Sequence, residues 1–224
     1  MSESEGLRPF EVKDCALAAL STGLRAQNLR ELRDHLLTIQ SACIFNHFWG
    51  GLLRPRFDDP EYNNDFAIWV RHALHDAKLA ERLAVIDPAG HSDLETLRRE
   101  VVEIIEERMD ESETLAWARP DQQFHFITSQ IVVFDTGMRL RDALELARAL
   151  PNLPLGSIFF HFIDARWREP QGVDDFRAWM RCADGSYADL CRRVADVDPY
   201  FSSLSELRKQ LATVFSDYFG GIEA

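Results

Sequence analysis

A chain of 224 residues with a formal charge of −12, from 37 Asp and Glu against 25 Lys and Arg, repels phosphate backbones and anionic lipid, which argues against nucleic acid and membrane surfaces as partners. The apolar runs CIFNHFWGGLL and SIFFHFI fall short of the roughly 20 residues of a membrane-spanning helix. The acidic start MSESEGLRPF lacks the basic-then-apolar order of an export signal, so a cytoplasmic location is expected.

In chain order, FEVKDCALAAL from Phe10 reads as helix after a short extended start, and Thr22-Gly23 supplies a helix stop with a glycine able to adopt positive φ. NLRELRDHLLTI, CIFNHFWGGLL and DFAIWVRHAL carry apolar residues at helical spacing. A Ser-x-x-Glu capping box, Ser92 with Glu95, opens a further helix whose Leu94, Leu97, Val101, Ile104 and Ile105 form one buried face. DESETLAWARPDQQ follows as a linker.

The second half repeats the series. Thr22 to Phe48 lies on Thr136 to Phe162 without a gap, DFAIWVRHA from Asp65 falls on DFRAWMRCA from Asp175, and LAERLAVIDP from Leu79 falls on LCRRVADVDP from Leu190. A box of Ser203 and Glu206 opens the last helix, which carries Leu204, Leu207, Leu211, Val214 and Phe215 on one face. FHFITSQIVVF from Phe124, taken alone, alternates like a strand. Its match to FEVKDCALAAL, together with that stretch's alanines, decides for helix in both. The expectation is an all-α, internally duplicated protein: repeats over 10–110 and 124–220, a linker over 111–123, and two similar halves packed about a pseudo-twofold axis, as homodimers pack.

Polar residues that both halves place in an apolar context are the candidate site. On a helical wheel of about 100° per residue, His161, Asp164 and Arg168 share a wedge of about 60° on SIFFHFIDARWR, which is otherwise apolar. His47 and Arg54 occupy the same wedge in the first half, where Gly50 stands in place of the acid. An imidazole beside a carboxylate acts as base or ligand, and Arg clamps an anion. The same imidazole also ties helices together by donating one hydrogen bond and accepting another.

Asp65 and Asp175 stand at helix starts and read as N-caps. Arg25 and Arg139 follow the Thr-Gly stops, placed to bond free helix carbonyls or an anion. Trp69 and Trp179 read as core, and His72 and His75 as a surface pair. Cys15, Cys43, Cys182 and Cys191 form no CxxC and accompany no zinc-spaced histidine, so they read as buried thiols and no metal is expected. No Walker A, GxGxxG, HExxH or GxSxG pattern is present, and no cofactor is specified.

The words TGLRAQNLRELRDHL, IFNHFWGGLLRPRFDDPEYNNDFAIWVRHAL, LAERLAVIDP, FHFITSQIVVFDTGMRL and SIFFHFIDAR resemble the bacterial and archaeal proteins grouped as the domain of unknown function 5752, over almost the whole chain. The resemblance implies no activity and no catalytic residue, and sets the protein near carbohydrate-related metabolism. The family's Tyr-Tyr-His pattern appears here as Phe45-Asn46-His47 and Phe159-Phe160-His161.

Two functions are therefore expected. One is a non-enzymatic partner or regulatory subunit of a cytoplasmic metabolic enzyme. The other is a small-molecule or anion-binding protein, or an enzyme, with His47, Arg54, His161, Asp164 and Arg168 forming a site between the halves.

Overall fold

The structure, a computed structural model, describes residues 8–53, 62–111, 114–168, 172–183 and 185–220. The stretches expected to be helix after a short extended start are strands throughout. β1 (Phe10–Ala26) and β2 (Phe124–Leu140) form a two-stranded antiparallel sheet, so the all-α expectation is corrected to a mixed fold. The physical reason is non-local. Ala and Leu in CALAAL favour helix weakly, and the ladder formed with a β-branched, alternating partner outweighs that preference.

The expected packing of two similar halves is corrected as well, since no duplication is shown and the compact units each draw on both halves of the sequence. One unit is Met1–Ala16 with Val132–Ala224; the other is Leu17–Ile131. Both strands cross the boundary, so each unit contains the first part of one strand and the last part of the other.

The unit Leu17–Ile131 holds α1 (Leu29–Leu36), α2 (Ser41–Trp49), α3 (Asp65–His72), α4 (Ala77–Ala84) and α5 (Leu94–Glu111). Its helix starts are set by side-chain caps. Asn28 accepts from the Glu31 N–H, Asn64 from Ala67 and Asp76 from Leu79. α5 opens on Asp93, which accepts from the Thr96 N–H at 2.7 Å, rather than on the expected Ser92. Buried Arg98 donates to the carbonyls of Leu36 and Ile39, satisfying groups left open where α1 ends. Phe124 and Phe126 alternate with exposed His125 and enter the core beside Phe66 and Trp69.

The unit Met1–Ala16 with Val132–Ala224 holds α6 (Ala143–Ala149), α7 (Leu155–Ile158), a π-helical segment over Phe159–Asp164, α8 (Ala165–Arg168), α9 (Asp175–Arg181), α10 (Ala188–Ala195) and α11 (Leu204–Gly220). The Ser203 and Glu206 box forms as expected, each residue bonding the other's backbone N–H. Phe10 and Val12 enter the core while Glu11 faces solvent.

Gly156 permits the close approach of β1 here. A Cβ on it would collide with both the Cys15 carbonyl oxygen and Asp14 Oδ1. Gly23 and Gly137 do have positive φ, 77° and 74°. They sit inside the strands rather than at helix ends. There Thr22 Oγ1 donates to the Phe126 carbonyl and Thr136 Oγ1 to the Val12 carbonyl, at 2.7 and 2.6 Å.

Candidate functional site

Each buried histidine binds a strand to a helix inside its own unit. His47 lies on α2, 2 % exposed. Its Nε2 accepts from the Ile127 N–H of β2 at 3.1 Å, and its Nδ1 lies 2.9 Å from Asp65 Oδ2. His161, in the π-helical segment, repeats the arrangement: Nε2 accepts from the Lys13 N–H of β1 at 2.8 Å, and Nδ1 lies 2.7 Å from Asp175 Oδ2.

A backbone N–H can only donate, so Nε2 is the bare nitrogen in both rings, and the proton sits on Nδ1, donated to the carboxylate. Both ring nitrogens of each histidine are thereby committed. An aromatic cage completes each dock. Phe124 lies 4.8 Å from the His47 ring with Phe66 and Trp69 alongside; Phe10 lies 4.8 Å from His161 with Phe176 and Trp179 alongside.

The carboxylates are not the N-caps expected of them. Asn64 and Asp174 cap α3 and α9; Asp65 and Asp175 are the next residues, which frees their side chains for the imidazoles. The N-terminal end of a helix also favours a negative charge there.

The structure brings His161, Asp164, Arg168 and Asp175 into one network. Arg168 donates from Nε to Asp164 Oδ2 at 3.0 Å and from a terminal nitrogen to Asp175 Oδ2 at 3.1 Å, and its guanidinium lies 4.2 Å over the Phe160 ring. Burial pushes the Asp164 carboxyl up from the ordinary aspartate range, with Arg168 opposing part of that shift. Among the described residues the His47 dock has no such acid. A Cβ at Gly50 would come within 2.6 Å of Asn46 Oδ1, so the asparagine that stands where the other unit has Phe160 leaves no room for one. Arg54 lies outside the described residues.

Arg25 and Arg139 lie on the strands rather than at helix ends. Arg25 is exposed on β1. Arg139 pairs with Asp135 at 2.7 Å and reaches Glu11 at 3.8 Å. His72 and His75 are exposed; His75, in the left-handed region at φ 58°, binds Asp121 at 2.7 Å. Trp69 is buried and donates to the Gln122 carbonyl, while Trp179 is half-buried and donates to the Arg8 carbonyl.

Cys15, Cys43 and Cys191 are buried and Cys182 is exposed. Burial pushes the Cys15 and Cys43 thiols up to about 12. Among the described residues no three His, Cys, Asp or Glu side chains converge on a point that could hold a metal ion, and no helix is long and apolar enough to cross a membrane.

The strand partners of the histidines escaped the sequence reading because a backbone N–H is carried by every residue type except proline. The signal that could have found them was the alternation in FHFITSQIVVF. Accepting it as strand in both stretches would have brought a row of amides to each imidazole.

No curated protein matches this chain. Among solved structures, "The structure of OrfY from Thermoproteus tenax" is similar, with 27 % sequence identity and a TM-score of 0.82, covering 96 % of this chain and 97 % of that one. The model of the family described as "Family of unknown function (DUF5752)" matches residues 7–216, and the chain belongs to that family.

Proposed function

We propose that the protein is a non-catalytic cytoplasmic interaction module that receives an extended segment of a partner protein along an edge strand. The observation that carries this reading is the outer stretch of β2 in the unit Met1–Ala16 with Val132–Ala224. Val132, Val133 and Phe134 are consecutive and all exposed, Phe134 by 49 %. Successive strand residues point to opposite faces, so both faces are open here. Among the described residues the sheet has two strands, which leaves each strand one unpaired edge, a template for a further strand.

The neighbouring charges close on one another, Lys13 with Glu11 and Asp135 with Arg139. Attraction must then come from backbone pairing and apolar contact, which suits a neutral, β-forming segment. A net charge of −12 works against a second copy in that place. The positive φ of Gly137 limits the usable edge to the stretch before it. The histidines support the same reading, since each has both ring nitrogens committed, one to a strand amide and one to a helix carboxylate.

A photo-cross-linking residue at Phe134 should trap one partner chain, and Val133→Glu should abolish the adduct while leaving the melting temperature unchanged. Addition of that purified partner should slow amide exchange over Val132–Asp135. An adduct consisting of a second copy, or exchange unchanged by the partner, would overturn the proposal.

A further inference from the structure

In the same unit, α9 and α10 line an open cavity of about 300 Å³ with the apolar side chains of Met180, Ala188, Cys191 and Ala195 and with Arg177, Arg181 and Arg192. Met180 and Cys191 are buried, and Ala188 and Ala195 are exposed, so the apolar lining runs from the core out to the surface. The Arg177 side chain is 12 % exposed and spends its Nε on Asp174. Arg192 shares Asp189 with Arg193, and Arg181 is exposed and forms no ion pair among the described residues.

Three guanidinium groups thus border an apolar hollow on a chain whose overall charge is −12. The other unit shows what a carboxylate does at the start of a comparable eight-residue helix. There Asp76 caps α4, bonds the Leu79 N–H at 3.1 Å and is gripped by Arg108 at 2.9 and 3.2 Å. α10 starts instead at Tyr187, which makes no side-chain cap.

We propose that this cavity binds a phosphate monoester on a small apolar body: Arg181 and Arg192 hold the dianion, Arg177 adds positive charge behind them, and the apolar body rests on Met180, Ala188 and Cys191. Three guanidinium groups match a doubly charged phosphate better than a single carboxylate. The small volume sets the size of the apolar part near one ring.

The test titrates the full chain with phenyl phosphate, benzoate, phenol and inorganic phosphate, following backbone amide signals. Phenyl phosphate should saturate one site, shifting the signals of Met180, Ala188 and Cys191. Benzoate and inorganic phosphate should bind at least about tenfold more weakly, and phenol should not bind. Arg181→Gln and Arg192→Gln, both at exposed positions, should each weaken phenyl phosphate about tenfold or more with an unchanged melting temperature, while Arg71→Gln in the other unit changes nothing. Absence of saturable binding, shifts elsewhere, benzoate binding as tightly as phenyl phosphate, or affinity unaffected by both arginine variants would each overturn the proposal.

Discussion

The His47 and His161 docks use the same four parts, an imidazole, a strand N–H, a carboxylate from the first residue of a helix and a ring from the strand, but they are closed to different degrees. The Asp65 side chain is 39 % exposed and water can replace a lost partner; the Asp175 side chain is 19 % exposed and is shared between His161 and Arg168. The buried thiols run in opposite directions too. Cys43 donates from the helix to the Ile127 carbonyl of the strand, whereas Cys15 donates from the strand to the Gly156 carbonyl of the helix. One way of seating a strand is thus compatible with an open and a closed setting, and the closed one depends on more partners.

That contrast should appear in stability. The largest effect is expected at Gly156, where Gly156→Ala drives a Cβ into the strand backbone and should cost about 3 kcal/mol. In the other unit the sequence already has Ala42 at the matching position, exposed to solvent, and Ala42→Gly should cost less than about 1 kcal/mol, the helix penalty of glycine alone. Chemical denaturation measures both, and equal costs would remove the argument for closer strand approach at Gly156.

Next come the histidines. His161→Phe keeps the ring but leaves the Lys13 N–H unpaired and takes one of two partners from a largely enclosed carboxylate, for about 3 kcal/mol; His47→Phe should cost about 2 kcal/mol, because Asp65 can be hydrated. His161→Gln, whose side-chain oxygen can meet the Lys13 N–H, should recover part of the loss. A smaller difference is expected between Asp175→Asn, about 2 kcal/mol, and Asp65→Asn, about 1 kcal/mol or less, since only the first also removes a partner of Arg168.

The smallest effects concern the thiols. Cys15 and Cys43 have folded-state pKa values of about 12, above the ordinary 9.0. The native state holds those protons after the unfolded chain has released them, so each contribution is intact below pH 9.0 and declines as pH rises from there towards about 12. A thiol reagent at pH 8 should label Cys182 at once and leave Cys15 and Cys43 protected until unfolding. Serine at both positions should flatten the alkaline decline.

Local signals identified the parts governed by local physics. The apolar spacing of Leu97, Val101 and Ile105 places them in the core, and the Ser203 and Glu206 box forms because its partners are three residues apart. The wheel also grouped His161 with Asp164 and Arg168, and the bond between Asp164 and Arg168 spans one helical turn. Long-range pairing was out of reach. CALAAL is strand because of a partner more than 100 residues away, and Asp175 meets His161 only because α9 folds back onto the π-helical segment. The units escaped for the same reason, since no local pattern marks a strand that begins in one compact body and ends in another.

The most direct test of the central claim, that the buried histidines are neutral docks for backbone amides, is nitrogen NMR of the two imidazoles in the intact protein at neutral pH. Both rings should carry their proton on Nδ1, with a scalar coupling across the hydrogen bond from the Lys13 amide nitrogen to His161 Nε2 and from Ile127 to His47 Nε2. A proton on Nε2 in either ring, or no coupling to either strand amide, would contradict the account.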